Sequence, residues 1–130
     1  MELAPATVQR LVAIARRARV HAYAPYSDFP VGAAVLGEDG RVFPGCNVEN
    51  ACYGLSMCAE RNAVAAAVAA GTRPVAVAVA GGPDITPPCG ACRQVLAEFG
   101  DSLTVVLAPA DGEEVDTIPL RELLPRAFRL

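Results

Sequence analysis

The sequence predicts a single α/β domain spanning residues 1–130, with three α/β/α layers in which helices cover both faces of a mixed five-stranded sheet. Two continuous apolar runs, Val75–Ala80 and Leu103–Ala108, are typical of strands buried on both faces. Between them, Gly90–Phe99 follows Pro87-Pro88 and predicts a helix. A helix that joins two buried strands indicates a parallel crossover, the unit from which α/β sheets are built.

The first third of the chain predicts one helix and one hairpin. Apolar residues recur at intervals of three and four before Tyr23, which favours an amphipathic helix; they are Val8, Leu11, Val12, Ala15 and Ala18. Further on, Val31–Gly37 and Arg41–Val48 flank Glu38-Asp39-Gly40, a turn signal between two apolar runs. We therefore expect an antiparallel β-hairpin there.

The remaining elements follow from helix propensity and loop length. Met57–Ala70 is rich in alanine and ends at Gly71, so it predicts a helix with a glycine cap. The connection at residues 109–112 is too short for a crossover helix, so the last strand, near Glu113–Ile118, should run antiparallel to its predecessor. The tail predicts a short helix interrupted at Pro125.

Composition excludes two classes of partner. A net charge of −3 and the absence of tryptophan give no basic, aromatic surface for nucleic acid. The N-terminus lacks the apolar core of a signal peptide, and the longest apolar stretch, residues 63–70, is too short to cross a bilayer. We expect a cytoplasmic protein that binds neither nucleic acid nor membranes.

Five cysteines without an export signal argue for metal binding or catalysis rather than disulfides. Cys89 and Cys92 form a C-x-x-C that suits either a redox pair or a zinc clamp. Cys58, also at a predicted helix start, favours zinc, because three protein ligands keep a fourth position open for water. Cys46 and Cys52 lack ligand spacing and are interpreted as small buried hydrophobic residues.

The glutamate beside Cys58 completes a more specific pattern. Cys58-Ala59-Glu60 followed by Pro88-Cys89-Gly90-Ala91-Cys92 matches the all-cysteine form of the zinc deaminase motif. The chain resembles the small, homotetrameric type of cytidine deaminase. The resemblance extends from Tyr23 to Phe128 and includes Tyr26–Ala34, Gly45–Ala51 and Leu123–Phe128. It implies deamination of cytidine and 2′-deoxycytidine with one Zn²⁺ per chain.

Roles near the metal follow partly from charge. Glu60 lies two residues after a ligand, so it can reach the open metal position and carry protons, although a solvated helix glutamate is the bland alternative. Three thiolates on zinc leave a charge of −1, and Arg61, three positions after Cys58, is placed to offset it. The resemblance implies the same role for Arg61, with Gln94 as its supporting partner.

Substrate contacts rest mainly on the resemblance. Asn47 and Glu49 alternate along a strand and its exit, so both are expected to face one pocket, where the resemblance implies that they hold the ribose. It implies an aromatic wall at Phe29 and main-chain contacts from Ala59 and Cys89. It assigns Phe128, and also Ala51 and Tyr53, to sites shared with a neighbouring subunit.

Three rival functions remain to be weighed. A deaminase of another cytosine nucleoside, such as an antibiotic, would share these motifs, although Asn47-Val48-Glu49 and residues 29–34 favour cytidine. A polynucleotide deaminase is disfavoured by the acidic charge and the short link before the last strand. A dithiol redox or structural-zinc module without turnover is the alternative from a different class.

Overall fold

The computed structural model of the chain describes residues 2–130 and has one five-stranded sheet in the order β2-β1-β3-β4-β5. The elements, in chain order, are α1 (Pro5–Arg19), β1 (Gly32–Gly37), β2 (Val42–Cys46), a 3-10 turn (Tyr53–Leu55), α2 (Ala59–Ala69), β3 (Pro74–Ala80), α3 (Gly90–Ala97), β4 (Thr104–Ala108), β5 (Asp116–Pro119) and α4 (Leu120–Leu123).

Strand pairing confirms the predicted mixed sheet. The hairpin pairs β1 with β2, and β1 also pairs with β3, both antiparallel. The α3 crossover joins β3 to β4, which are parallel with Ala76 opposite Thr104. The last strand, β5, is antiparallel to β4, as the short connection before it predicted.

The two faces of the sheet carry side chains of different size. On the face covered by α2 and α3, β3 contributes Val77 and Val79 to the core. On the opposite face, which α1 covers, β3 contributes only alanines, namely Ala76, Ala78 and Ala80. Because alanine side chains are short, α1 can approach the sheet closely on this face.

Gly32 marks the closest approach between α1 and the sheet. A Cβ atom at Gly32 would lie 1.9 Å from the carbonyl oxygen of Ala15 and 2.5 Å from the backbone nitrogen of Arg19. Only glycine fits such a contact. The backbone of the last turn of α1 therefore packs directly against Gly32, the first residue of β1.

Two predicted element starts differ from the structure by more than one residue. β5 begins at Asp116, not Glu113, because its pairing with β4 ends where Asp116 lies opposite Leu107. Helix α2 begins at Ala59 because Cys58 has extended backbone angles and is its N-cap. Its end matches the prediction, since Gly71 follows the C-cap with φ of +91°.

No helix within residues 2–130 is both long and apolar enough to cross a membrane. The longest, α1, has 15 residues and carries three arginines in its last turn.

Candidate metal centre and active site

The starts of two helices bring three cysteines together. Cys58 is the N-cap of α2, Cys89 is the N-cap of α3, and Cys92 lies in the first turn of α3. The Cys89 Sγ lies 3.4 Å from the Cys92 Sγ and 3.8 Å from the Cys58 Sγ. Both helix N-termini direct partial positive charge toward these sulfurs, which favours thiolates.

The three sulfurs fit a tetrahedral zinc ion. Zn–S bonds of about 2.3 Å at tetrahedral angles separate two sulfurs by about 3.8 Å, close to the two distances above. All three Sγ atoms lie within 4.8 Å of one another. Among the histidine, cysteine and acidic side chains of residues 2–130, this is the one group of three or more whose ligand atoms lie close enough to hold a metal ion.

The other two cysteines lie outside this group. Cys46 is half-buried at the end of β2, whereas Cys52 is exposed. The interpretation of Cys52 as a buried hydrophobic residue is therefore wrong: it lies in a surface turn, where its backbone N–H donates to Asn50 Oδ1 over 2.9 Å.

The environment separates the pKa values of two of the thiols. Hydrogen bonding from the Cys92 thiol, assisted by the Arg61 guanidinium, lowers the pKa of Cys58 to about 5. The same hydrogen bond, together with burial, raises the pKa of Cys92. A divalent metal that binds all three sulfurs must displace the protons that the thiols carry.

Glu60 is a buried carboxyl group beside the sulfurs. It is 4% exposed, and burial raises its pKa above the ordinary value. Glu60 lines a cavity of about 250 Å³ together with Cys58, Ala59 and Cys89. A buried carboxyl group that faces such a cavity, with a pKa above its ordinary value, is suited to accepting and donating a proton during a reaction.

Arg61 contacts a sulfur ligand directly. Its Nη2 donates to Cys58 Sγ over 3.6 Å and to the Ser56 carbonyl over 3.3 Å. The hydrogen bond to Cys58 also raises the pKa of Arg61. For Gln94, the expected partner of Arg61, the structure gives a different contact: its Nε2 donates to the Phe128 carbonyl over 3.1 Å.

The walls of the cavity come from three further segments. The lining residues from these segments are Phe29, Val31, Asn47, Val79, Thr86 and Pro87. Sequence reasoning missed Thr86 and Pro87 as lining residues. Their place after β3 could have indicated them, because ligands in α/β sheets bind beyond the carboxyl ends of strands.

Asn47 and Glu49 do not face one cavity as expected. Asn47 lines the cavity near the cysteines, while Glu49 lines a neighbouring one of about 390 Å³ with Tyr26, Ser27, Tyr53 and Ser56. Two backbone N–H groups and a hydroxyl draw the Glu49 carboxylate away, since Tyr26, Ser27 and the Ser27 side chain all donate to it. These bonds lower the pKa of Glu49, the Ser27 hydroxyl most.

Asn47 holds the backbone of the Phe29 segment. Its Oδ1 accepts from the Val31 N–H over 2.9 Å, and its Nδ2 donates to the Phe29 carbonyl over 3.0 Å. The side chain therefore fixes one wall of the cavity as well as lining it.

Three residues that the resemblance placed at shared sites lie on the surface of the single chain. Ala51 is exposed, and Tyr53 and Phe128 are 78% and 71% exposed. The Tyr53 ring meets Tyr26 edge to face, with centroids 6.4 Å apart. None of the three lines the cavity beside the cysteines.

Comparison with known proteins identifies the family. Residues 5–108 match the family model described as the cytidine and deoxycytidylate deaminase zinc-binding region. The chain belongs to this family. It is therefore a zinc-dependent deaminase, and its three-cysteine group is one that could hold a metal ion.

Named relatives agree over nearly the whole chain. A cytidine deaminase of Sporosarcina psychrophila is 47% identical, with 93% of this chain and 90% of the relative covered. One of Halalkalibacterium halodurans is 49% identical, with 92% of each covered. The crystal structure of a Burkholderia pseudomallei cytidine deaminase is 52% identical, with a TM-score of 0.86 over 92% of this chain and 98% of that one.

Proposed function

We propose that the chain hydrolyses cytidine and 2′-deoxycytidine to uridine and 2′-deoxyuridine, releasing ammonia, with one zinc ion per chain. The observation that carries this proposal is a buried carboxyl group, Glu60, opening on the same cavity as two sulfurs of the three-cysteine group. The names of the relatives at 47–49% identity support cytidine as the substrate.

The protein's part in the chemistry is mainly proton transfer. Cys58, Cys89 and Cys92 would hold the zinc ion, which would supply the Lewis acidity that makes water nucleophilic at neutral pH. Glu60 takes one proton from the attacking water and delivers it to the pyrimidine N3; it then takes the second proton from the new C4 hydroxyl and passes it to the departing amine. Water adds at C4, the C4–N bond breaks, and ammonia leaves, so no oxidant or further reactant is required.

Groups around the cavity bind the nucleoside. The Phe29 ring forms an apolar wall beside the base, while the N–H groups of Ala59 and Cys89, at the starts of α2 and α3, are donors at helix termini that lack intrahelical partners. Asn47 and Glu49 hold the ribose hydroxyls, each from its own cavity. For Glu49, this requires the nucleoside to extend into the neighbouring cavity.

Arg61 moderates the charge of the thiolates, with Gln94 acting on the C-terminal tail in this chain. By donating to Cys58 Sγ, Arg61 withdraws electron density from the ligand and preserves the acidity that the reaction needs.

We also propose a cytoplasmic homotetramer that serves pyrimidine salvage. The support is an exposed group of large apolar side chains beside the active site, which are Tyr23, Tyr26, Val48, Tyr53 and Leu55. Such a patch is typical of a protein interface. Tyr53 would reach a neighbour's site from this patch, and the exposed residues Ala51 and Phe128 would reach a neighbour's site from outside it. Light scattering should give about four times the chain mass of 13.5 kDa; a monomer with full activity would contradict the tetramer.

An ultraviolet assay tests the substrate. Purified protein is incubated with cytidine, 2′-deoxycytidine, cytosine and cytidine monophosphate, and the first two should be converted. Conversion of a different cytosine nucleoside in place of these two would favour the antibiotic-type alternative. A metal-free protein with a reversible Cys89–Cys92 disulfide would instead support the redox alternative.

The Glu60→Gln variant tests the proton carrier. It should retain zinc but lose at least about 100-fold in kcat, because general acid–base catalysis contributes about 10²–10⁴-fold. Glu98→Gln, at the exposed C-terminal end of α3, is the matched control and should behave as the wild type. Full activity of Glu60→Gln at full zinc occupancy would refute the assigned role.

A further inference from the structure

Arg19 connects two backbone segments on the rim of the base cavity. It is the last residue of α1, on the opposite face of the sheet from α2 and α3. Its Nε lies 2.8 Å from the carbonyl oxygen of Gly81 and 3.2 Å from that of Pro30. One guanidinium therefore joins the end of β3 to the segment that enters β1.

These two carbonyls flank a tight contact in the cavity wall. Phe29 precedes Pro30, and Gly82 follows Gly81. A Cβ atom at Gly82 would lie 2.9 Å from Phe29 Cε1 and 3.1 Å from Cζ. The Phe29 ring thus packs directly against the backbone of Gly82. Arg19 binds the carbonyls of the neighbouring residues, Pro30 and Gly81.

Gly82 also belongs to the loop at residues 81–87, which follows β3. Its N–H lies 3.3 Å from Thr86 Oγ1, and its carbonyl accepts from the Ala110 N–H over 2.9 Å. Both Thr86 and Phe29 line the cavity. The contact between Phe29 and Gly82 consequently sets the distance between the Phe29 segment and the loop at residues 81–87.

We propose that Arg19 is a positioning residue that holds the Phe29 segment and the loop at residues 81–87 at the spacing a pyrimidine base requires. It acts through backbone carbonyls and touches neither the base nor the zinc ligands. This inference rests on the proposed function for its substrate. It concerns nucleoside binding, so it separates from the chemistry at Glu60.

The kinetic test is Arg19→Met, which keeps much of the apolar length and removes the donor. We expect KM for cytidine to rise about tenfold, the factor equivalent to one hydrogen bond to a charged donor. The turnover number and zinc content should stay within about twofold, because lost ground-state binding raises KM alone. Arg19→Lys, which retains a charged donor, should recover part of the loss.

Arg16→Met is the matched control. Arg16 lies one turn earlier on α1, is also half-buried, and likewise binds two carbonyls, with its Nε 3.1 Å from the Pro109 oxygen and its Nη2 2.8 Å from the Gly112 oxygen. A similar loss of thermal stability without a rise in KM is expected. An equal rise in KM in both variants would overturn the proposal, as would an unchanged KM in Arg19→Met.

A second readout does not require activity. The chain contains no tryptophan, so Phe29→Trp places a single fluorophore in the wall. Adding Arg19→Met should shift its emission to the red and increase quenching by acrylamide, whereas adding Arg16→Met should leave both unchanged. Gly82→Ala should raise KM in the same way as Arg19→Met, since its methyl group would displace the ring.

The two proposals fail in different ways. Wild-type protein that converts no cytosine nucleoside refutes the proposed function, and the tryptophan readout still decides the role of Arg19. Active wild-type protein with no fluorescence difference between the two arginine variants refutes the role of Arg19 alone.

Discussion

Arg61→Met removes the guanidinium donor that contacts the Cys58 sulfur. The Nη2–Sγ separation of 3.6 Å is that of a sulfur hydrogen bond, and Arg61 is only half-buried. Hydrogen bonds to charged groups contribute about 1.5–3 kcal/mol, and partial exposure places this one near the lower limit. Because about 1.4 kcal/mol corresponds to a factor of ten in rate, we expect kcat to fall about tenfold.

The assay must separate catalysis from metal loss. Turnover of cytidine is measured with zinc in excess, and zinc affinity is measured separately by chelator competition. We expect Arg61→Met to bind zinc about 10–100-fold more weakly, because it removes the hydrogen-bonding partner of a zinc ligand. Asn62→Ala is the control, since Asn62 is the next residue of α2 and donates to the Cys46 carbonyl over 2.9 Å, not to a sulfur ligand. If Arg61→Met at full zinc occupancy matches Asn62→Ala in kcat, the two helix starts alone offset the thiolate charge and our reasoning is refuted.

Two further predictions concern the metal and pH. Cys92→Ala should abolish stoichiometric zinc binding in metal analysis, while Cys46→Ala, outside the cluster, should keep about one zinc per chain; a zinc-loaded Cys92→Ala protein would contradict the ligand assignment. Hydrogen bonds from Ser27 and Tyr26 hold the pKa of Glu49 in the folded protein below its ordinary 4.5. Ionised Glu49 therefore stabilises the fold above pH 4.5, and this contribution is lost as the pH falls through the lowered pKa. Wild-type protein should therefore melt at a higher temperature than Glu49→Gln at pH 7, with the difference shrinking toward pH 3; a constant difference would disprove this linkage.

Much of the fold was predictable because local patterns and loop lengths constrain it. The runs that became β3 and β4 are apolar on both faces, and residues 109–112 leave no room for a crossover, so the directions of the last three strands follow. The start of β5 was not predictable in this way. It depends on which β4 residues remain available for pairing, and this is a tertiary property.

In the candidate site, too, the features set by local sequence were predictable and those set by tertiary contacts were not. Ligand spacing near two helix starts predicted the three-cysteine group, because each half of the motif is local. The direction of the Glu49 carboxylate was not predictable, since it depends on donors from Tyr26 and Ser27, which lie 23 and 22 residues away. Gln94 is similar: its contact with the Phe128 carbonyl depends on where the C-terminal tail folds back.

The alanine-lined face beneath α1 gives the two sides of the sheet different tolerance to sequence change. The valine-lined side can exchange one branched residue for another of similar volume, while Ala34, Ala76 and Ala78, all fully buried, can accept no larger group unless α1 moves outward. Any such movement would carry Arg19 away from the rim. Substitutions that enlarge these alanines, whether natural or engineered, would thus alter substrate selection although the layer beneath α1 does not contact the substrate.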